Sequence, residues 1–269
     1  MGSIDESKQI IIPKEVIKMK QNPLEQFRLE AIDRIKLYKN NQALQKSSQS
    51  FLEEIVKVKY AYNFFWLGIP VIQAPQDLQA LQEIIWDVKP DLIIETGIAW
   101  GGSIIFSASM LTVLEICGKV ENAEVLGIDI EIRPHNKEAI LSHPMSKKIT
   151  LLEGSSIDER IISQVKEVAK NKKSIMVCLD SNHTHNHVLA ELNAYTPLVT
   201  AGSYCVVGDT GVEDLPDGMI LDRPWGKGNN PKTAVKEFLK NNDRFVIDKD
   251  IESKLVFTAC SDGYLKCVK

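Results

Sequence analysis

The sequence predicts an α/β fold: a mostly parallel sheet, helices on both faces, and an antiparallel close. Three observations predict it. From Asp77 onward, short apolar runs alternate with helical stretches, the spacing of strand–helix–parallel strand repeats. Each of five such runs ends in a polar or glycine-bearing tip. The chain then closes on two apolar runs around Ser261-Asp262-Gly263, a tight-hairpin signal rather than one more crossover helix.

Composition sets the frame. A chain of 269 residues accommodates one large α/β domain with a helical extension. Hydrophobic residues make up 44% and charged residues 25%, the balance of a water-soluble globular protein. The net charge of −4 offers no basic field for nucleic acid or an anionic membrane. No apolar run approaches 18 residues and no leader pattern opens the chain, so no membrane insertion is expected. Five cysteines without a C-x-x-C spacing argue against a disulfide framework or zinc knuckle, which fits a reducing cytoplasm.

The elements follow in order. Residues 1–60 are polar and carry no strand pattern. Leu24, Phe27, Ala31, Ile35 and Tyr38 recur at helical spacing, as do Phe51, Ile55 and Val58. Residues 1–60 therefore read as a helical N-terminal arm and residues 61–269 as the main domain. The arm can pack on that domain or on a second copy, and a homo-oligomer is the expectation. Residues 60–76 form an aromatic connector punctuated by Gly68, Pro70 and Pro75. Asp77 is placed to N-cap a helix carrying Leu78, Leu81, Ile84, Ile85 and Val88. Strands are predicted at Leu92–Glu95, Val125–Asp129, Ile149–Glu153, Ser174–Leu179 and Ser203–Val207. Helices separate them near 103–117, 136–142, 157–170 and 186–198, with another near 231–240. Lys254–Cys260 and Tyr264–Val268 are the predicted closing hairpin. Five parallel strands ending in a hairpin match the seven-stranded sheet of Rossmann-like methyltransferases, whose last strand inserts antiparallel.

Ligands of such sheets bind beyond the carboxyl ends of the strands. The first tip reads Glu95-Thr-Gly97-Ile-Ala-Trp-Gly101-Gly102-Ser103, a strand–turn–helix with glycines for close backbone approach. It lacks the third glycine of a dinucleotide fingerprint and the Walker lysine. A carboxylate there suits a cationic amino-acid group, which S-adenosylmethionine carries and NAD does not. Asp129 ends the second strand, placed to accept both ribose hydroxyls, with turn-capping as its other reading. Ser155 and Ser156 follow the third strand and can edge an adenine or N-cap the next helix. Together these tips predict an adenosyl-type cofactor.

The fourth tip carries the densest chemistry: Asp180-Ser-Asn-His183-Thr-His185-Asn-His187. Asp209 ends the fifth strand, and the fold should bring it near Asp180. Two carboxylates over one pocket suit a hard cation such as Mg²⁺. His183 is placed three residues beyond Asp180 to take a proton from an acceptor hydroxyl. The three histidines also permit a zinc reading. A zinc site, however, usually recruits a distant His or Cys, and His135 and His143 fall in a different loop and helix. His187 opens a helix bearing Val188, Leu189 and Leu192 and reads as a packing residue, while His185 stays open. The Gly/Pro-rich segment Asp222–Pro231 reads as a lid, with Trp225 either stacking on a sugar or anchoring the loop.

Several motifs resemble the cephalosporin hydroxylase family across roughly residues 55 to 269. They include Trp66-Leu-Gly68, Gln73-Ala-Pro75-Gln-Asp77-Leu and Lys89-Pro-Asp-Leu-Ile-Ile-Glu95-Thr-Gly97. Asp180-Ser-Asn-His183-Thr-His, Trp225-Gly and Gly263-Tyr-Leu-Lys266 extend the likeness. The family resembles S-adenosylmethionine-dependent O-methyltransferases and includes rhamnosyl O-methyltransferases. The resemblance implies Mg²⁺ at the Asp180 and Asp209 positions and a base at the His183 position. One departure stands out: the family pattern ends the fifth strand Glu-Asp, whereas this chain has Gly208-Asp209. The lost ligand leaves a weaker metal site, a replacement from Glu213 or Asp214, or no metal.

The expectation is an S-adenosylmethionine-dependent O-methyltransferase acting on a small-molecule or glycan hydroxyl. Glu95, Gly97, Gly101 and Ser103 are assigned to the methionine part, Asp129 to the ribose, and Ser155 and Ser156 to the adenine. Asp180 is shared between cofactor and metal. Two rivals stand beside it. One is a tailoring enzyme for oxidation or methoxylation of a β-lactam-like product, against which the chain shows no clear His-x-Asp facial triad. The other is a non-catalytic cofactor-binding assembly protein.

Overall fold

The structure, a computed structural model, describes residues 22–219 and 222–269. Residues 1–21 of the predicted arm lie outside them. The rest of the arm is two helices, α1 (Pro23–Asn40) and α2 (Gln42–Lys57), each N-capped by an asparagine side chain. Next come β1 (Phe64–Trp66) and β2 (Ile69–Val71), paired antiparallel, so the aromatic connector holds a small hairpin. Helix α3 (Pro75–Val88) leads to the main sheet.

The sheet is built from β3 (Leu92–Thr96), α4 (Gly102–Ile116), β4 (Glu124–Asp129), α5 (Pro134–Ser142) and β5 (Ile149–Glu153). It continues with α6 (Glu159–Ala169), β6 (Ile175–Leu179), α7 (His185–Tyr195), β7 (Tyr204–Val207) and α8 (Pro231–Lys240). It closes with β8 (Phe245–Ile247), α9 (Lys249–Leu255) and β9 (Tyr264–Cys267). The strand order is β5-β4-β3-β6-β7-β9-β8, with β9 antiparallel to both neighbours. The predicted seven-stranded, mostly parallel sheet is therefore present. Its order reverses between β3 and β6, and a cleft opens at that switch point.

Alternation along the strands divides the core. In β3, Ile93 faces Ile84, Ile104 and Leu111, whereas Leu92 and Ile94 face Val165, Leu192 and Val235. Helices thus cover both faces, as a buried parallel sheet requires.

Two local expectations are corrected. Lys254–Cys260 is not a strand; the antiparallel neighbours of β9 are β7 and β8, and α9 runs through Lys254 and Leu255. Its apolar run Leu255-Val256-Phe257 imitates a strand, but Val256 takes φ +68° and the following backbone is diverted to Asp77. Asp77 is also not an N-cap. Helix α3 starts at Pro75, whose preset φ and missing N–H suit a first position. Asp77 lies inside the first turn and is buried. It accepts hydrogen bonds from the Thr258 hydroxyl, the Ala259 amide (3.0 Å) and the Tyr264 hydroxyl (3.0 Å). The arm meets the same loop: Ser48 donates to the Val256 carbonyl at 2.8 Å, and Phe51 sits edge-on to Phe257 with ring centres 5.2 Å apart.

Candidate active site

A cavity of about 950 Å³ lies over the switch point. Gly97, Asp129, Ser155, Ser156, Asp180, His183 and Asp209 all line it. Glu95, Gly101 and Ser103 do not line it.

Gly97 adopts φ +81°, and a Cβ there would lie 2.1 Å from the Asp180 carbonyl oxygen. Absence of a side chain therefore lets the β3 and β6 tips touch. Asp129 fastens the turn, its Oδ2 accepting from the Ile98 (3.0 Å) and Ala99 (3.2 Å) amides. Its turn-capping reading is therefore present, and it also lines the cavity. Gly101 opens α4 with φ +93°, and a Cβ there would strike the Ile140 side chain. Glu95 is buried and accepts from the Ser103 hydroxyl. Burial pushes its carboxyl up to about 7, against the opposing pull of the Ser103 hydrogen bond. The helix following Ser155 and Ser156 is N-capped by Asp158, which leaves those serines on the cavity wall.

At the other end, donor atoms of Asp180, His183 and Asp209 all lie within 4.8 Å of one another. His183 Nε2 is 3.5 Å from Asp209 Oδ2, and its ring meets Trp225 edge-on, centres 4.8 Å apart. Trp225 carries the Arg223 guanidinium 5.3 Å over its ring. Burial, then the nearby carboxylates of Asp209, Glu95, Glu191 and Asp77, hold the Asp180 carboxyl well above the usual carboxylate range. A bound cation would relieve such crowding of acids. Oxygen donors dominate the set, so it fits a hard divalent ion.

Gly208 has a physical reason. A Cβ there would lie 2.2 Å from Asp180 Oδ1, so the missing side chain is what leaves Asp180 its place. Neither proposed replacement fills the gap. Glu213 Oε2 accepts from the Gly228 amide at 2.8 Å and from the Asn230 side chain, and Asp214 pairs with Lys232 at 2.7 Å. Gly208→Ala is expected to push Asp180 aside, weakening divalent-cation binding roughly tenfold, about 1.4 kcal/mol. Calorimetric titration with Mg²⁺ or Mn²⁺ checks this; unchanged affinity would show that Asp180 is not a ligand.

The other histidines separate. His185 turns to α8, with Nδ1 2.8 Å from Thr233 Oγ1 and Nε2 3.2 Å from Glu237. It is outside the cavity, so the three histidines do not converge on a zinc ion. His187 lines the cavity, contrary to a purely packing role.

The sequence reading missed the opposite wall. Leu52, Ile55 and Val56 of α2, Tyr60, Tyr62 and Phe257 line it. The helical period of α2 marked an apolar face, but nothing in that period says what the face covers.

The matching family model, rhamnosyl O-methyltransferase/CmcI, spans residues 58–268. The chain belongs to that family. It is an S-adenosylmethionine-dependent O-methyltransferase. A rhamnosyl O-methyltransferase of Mycobacterium tuberculosis is 29% identical over 233 residues, covering 83% of this chain and 88% of the relative. Its Mycobacterium leprae counterpart is 30% identical over 228 residues, covering 82% and 92%. Among solved structures, apo CmcI superposes with TM-score 0.52 at 18% identity, covering 77% of each chain. A CmcI structure with Mg and SAM gives 0.50 at 17% identity, covering 77% and 78%. These likenesses bear on the fold. Among the described residues no helix is long and apolar enough to cross a membrane.

Proposed function

We propose that this methyltransferase acts on a hydroxyl of a sugar or sugar-bearing metabolite, with His183 as general base and a divalent cation held by Asp180 and Asp209. The observation that carries the reading is the convergence of those three side chains beside the switch-point cleft. Relatives named rhamnosyl O-methyltransferases support a glycosidic acceptor.

In this reading, Gly97, Asp129, Ser155 and Ser156 bind the cofactor from the β3, β4 and β5 tips, with Glu95, Gly101 and Ser103 shaping the turn. His183 takes the acceptor proton as the oxygen receives the methyl group, and the Asp209 carboxylate beside it stabilises the imidazolium. Asp180 and Asp209 would hold Mg²⁺, which when bound would supply Lewis-acid polarisation of the hydroxyl. Trp225 offers an aromatic face to a sugar ring, and α2 with Phe257 walls the acceptor side. Residues 61–269 form the catalytic unit and the arm completes its pocket; a homo-oligomer remains part of the proposal. Most of the rate enhancement comes from positioning, worth up to about 7–11 kcal/mol for well-oriented reactants.

The test is calorimetry with S-adenosylhomocysteine, with and without Mg²⁺, followed by transfer of labelled methyl to rhamnosides. Binding and Mg²⁺-stimulated transfer are expected. Cofactor binding with no transfer to any glycoside hydroxyl would overturn the acceptor assignment.

A further inference from the structure

His187 opens α7, and its ring sits between the tips of β5 and β6. Its Nε2 lies 3.0 Å from Ser156 Oγ and 3.2 Å from Ser181 Oγ. Glu191, one helical turn further on, places Oε1 3.6 Å from the same nitrogen. Ser181 also donates to that Glu191 oxygen at 2.7 Å, and the Tyr195 hydroxyl donates to the Ser156 carbonyl at 2.5 Å. Glu191 is 0% exposed, and its Oε2 has no hydrogen-bond partner among the described residues.

A helix facing a sheet ordinarily fills such a position with an aliphatic side chain. A carboxyl group enclosed there costs several kcal/mol unless it is paired. The protein carries that cost beside a histidine on the cavity wall. The arrangement is that of an oriented imidazole, one nitrogen held by polar groups and the ring direction thereby set. Ser156, Ser181 and Glu191 all engage Nε2, and Nδ1 makes no hydrogen bond among the described residues.

We propose that His187 binds the nucleoside end of the cofactor, and that buried Glu191 is the positioning residue that orients its ring. Ser156 and Asp129 place that end of the cavity beside the β4 and β5 tips, so this inference rests on the cofactor placement proposed above. Adenosine supplies the complementary chemistry: an exocyclic amine and ribose hydroxyls that can donate to a neutral ring nitrogen. His183, four residues earlier, serves the acceptor; the two histidines then divide one loop between the two substrates.

The experiment is calorimetry on the full chain with S-adenosylhomocysteine and, separately, adenosine. His187→Ala should weaken both ligands by the same factor, roughly tenfold, because the lost contact is to the part they share. His187→Phe keeps a ring for packing but no nitrogen and should lose about as much, which covers failure of the alanine variant to fold. Glu191→Gln should weaken both ligands by a smaller, equal factor. Parent-like affinity in a folded His187→Phe or His187→Ala, with only the melting temperature lowered, would overturn the inference and leave His187 as packing. A loss confined to S-adenosylhomocysteine, with adenosine unchanged, would also overturn it. Failure of the parent chain to bind S-adenosylhomocysteine would instead sink the underlying cofactor placement.

Discussion

His183→Ala is expected to lower kcat for methyl transfer by about 10²–10⁴-fold, the usual range for loss of a general base. S-adenosylhomocysteine affinity should stay within about twofold, because the proposed role puts His183 on the acceptor, beside Trp225 and Asp209, with which it is in contact. The two readouts must separate. Parent-like turnover would remove His183 from the base role. An equal fall in turnover and cofactor affinity would mean that the substitution had collapsed the whole cleft.

The second large effect is on stability. Glu95 ionises at about 7 in the folded chain because burial disfavours its charge, whereas an unfolded glutamate ionises near 4.3. Between those values the folded state holds a proton that the unfolded state has released. The stability from the neutral carboxyl is therefore complete below the unfolded value and is lost as pH rises through about 7. A gap of that size corresponds to about 4 kcal/mol in full, most of it lost between pH 5 and pH 8. Asp77 and Asp180 are shifted in the same direction, so the slope of the parent chain is a sum. The informative quantity is the difference between the parent and Glu95→Gln. Urea unfolding in metal-free buffer should show Glu95→Gln losing about 3 kcal/mol less than the parent between pH 5 and pH 8. Parallel curves would show that Glu95 is charged in the folded protein.

A protein that keeps such acids beneath its own cleft trades stability for a site. Glu95, Asp77 and Glu191 are buried and Asp180 is part-buried; Asp77 and Asp180 line the cavity, and Glu95 and Glu191 act on Asp180 through space.

Much of this was legible in the chain. Alternating apolar runs placed all five parallel strands, because a strand buried on both faces has little choice but Val, Ile, Leu and Cys. The residues after each run were recognisable as a ligand edge because parallel strands deliver their carboxyl ends to one side. Local pattern failed where a distant residue took hold of the backbone. Lys254–Cys260 is apolar like a strand, but Asp77 captures the backbone at Ala259 and the hydroxyl of Thr258. The short β8, three residues at Phe245–Ile247, carries too little pattern to register.

By itself, then, the sequence determined the sheet, the side of it that works, and the types of group presented there, since each depends on periodicity and strand polarity. Only the tertiary structure decided how those groups are shared out. It took His185 to α8, set His187 against Ser156 and Glu191, and left Asp180, His183 and Asp209 together. It also accounts for Gly208, whose empty side-chain position is occupied by Asp180. The reason is distance. Neighbours in sequence on one loop diverge by a rotamer or a helical turn, and contacts between strands are set by packing across the sheet, to which no local pattern has access.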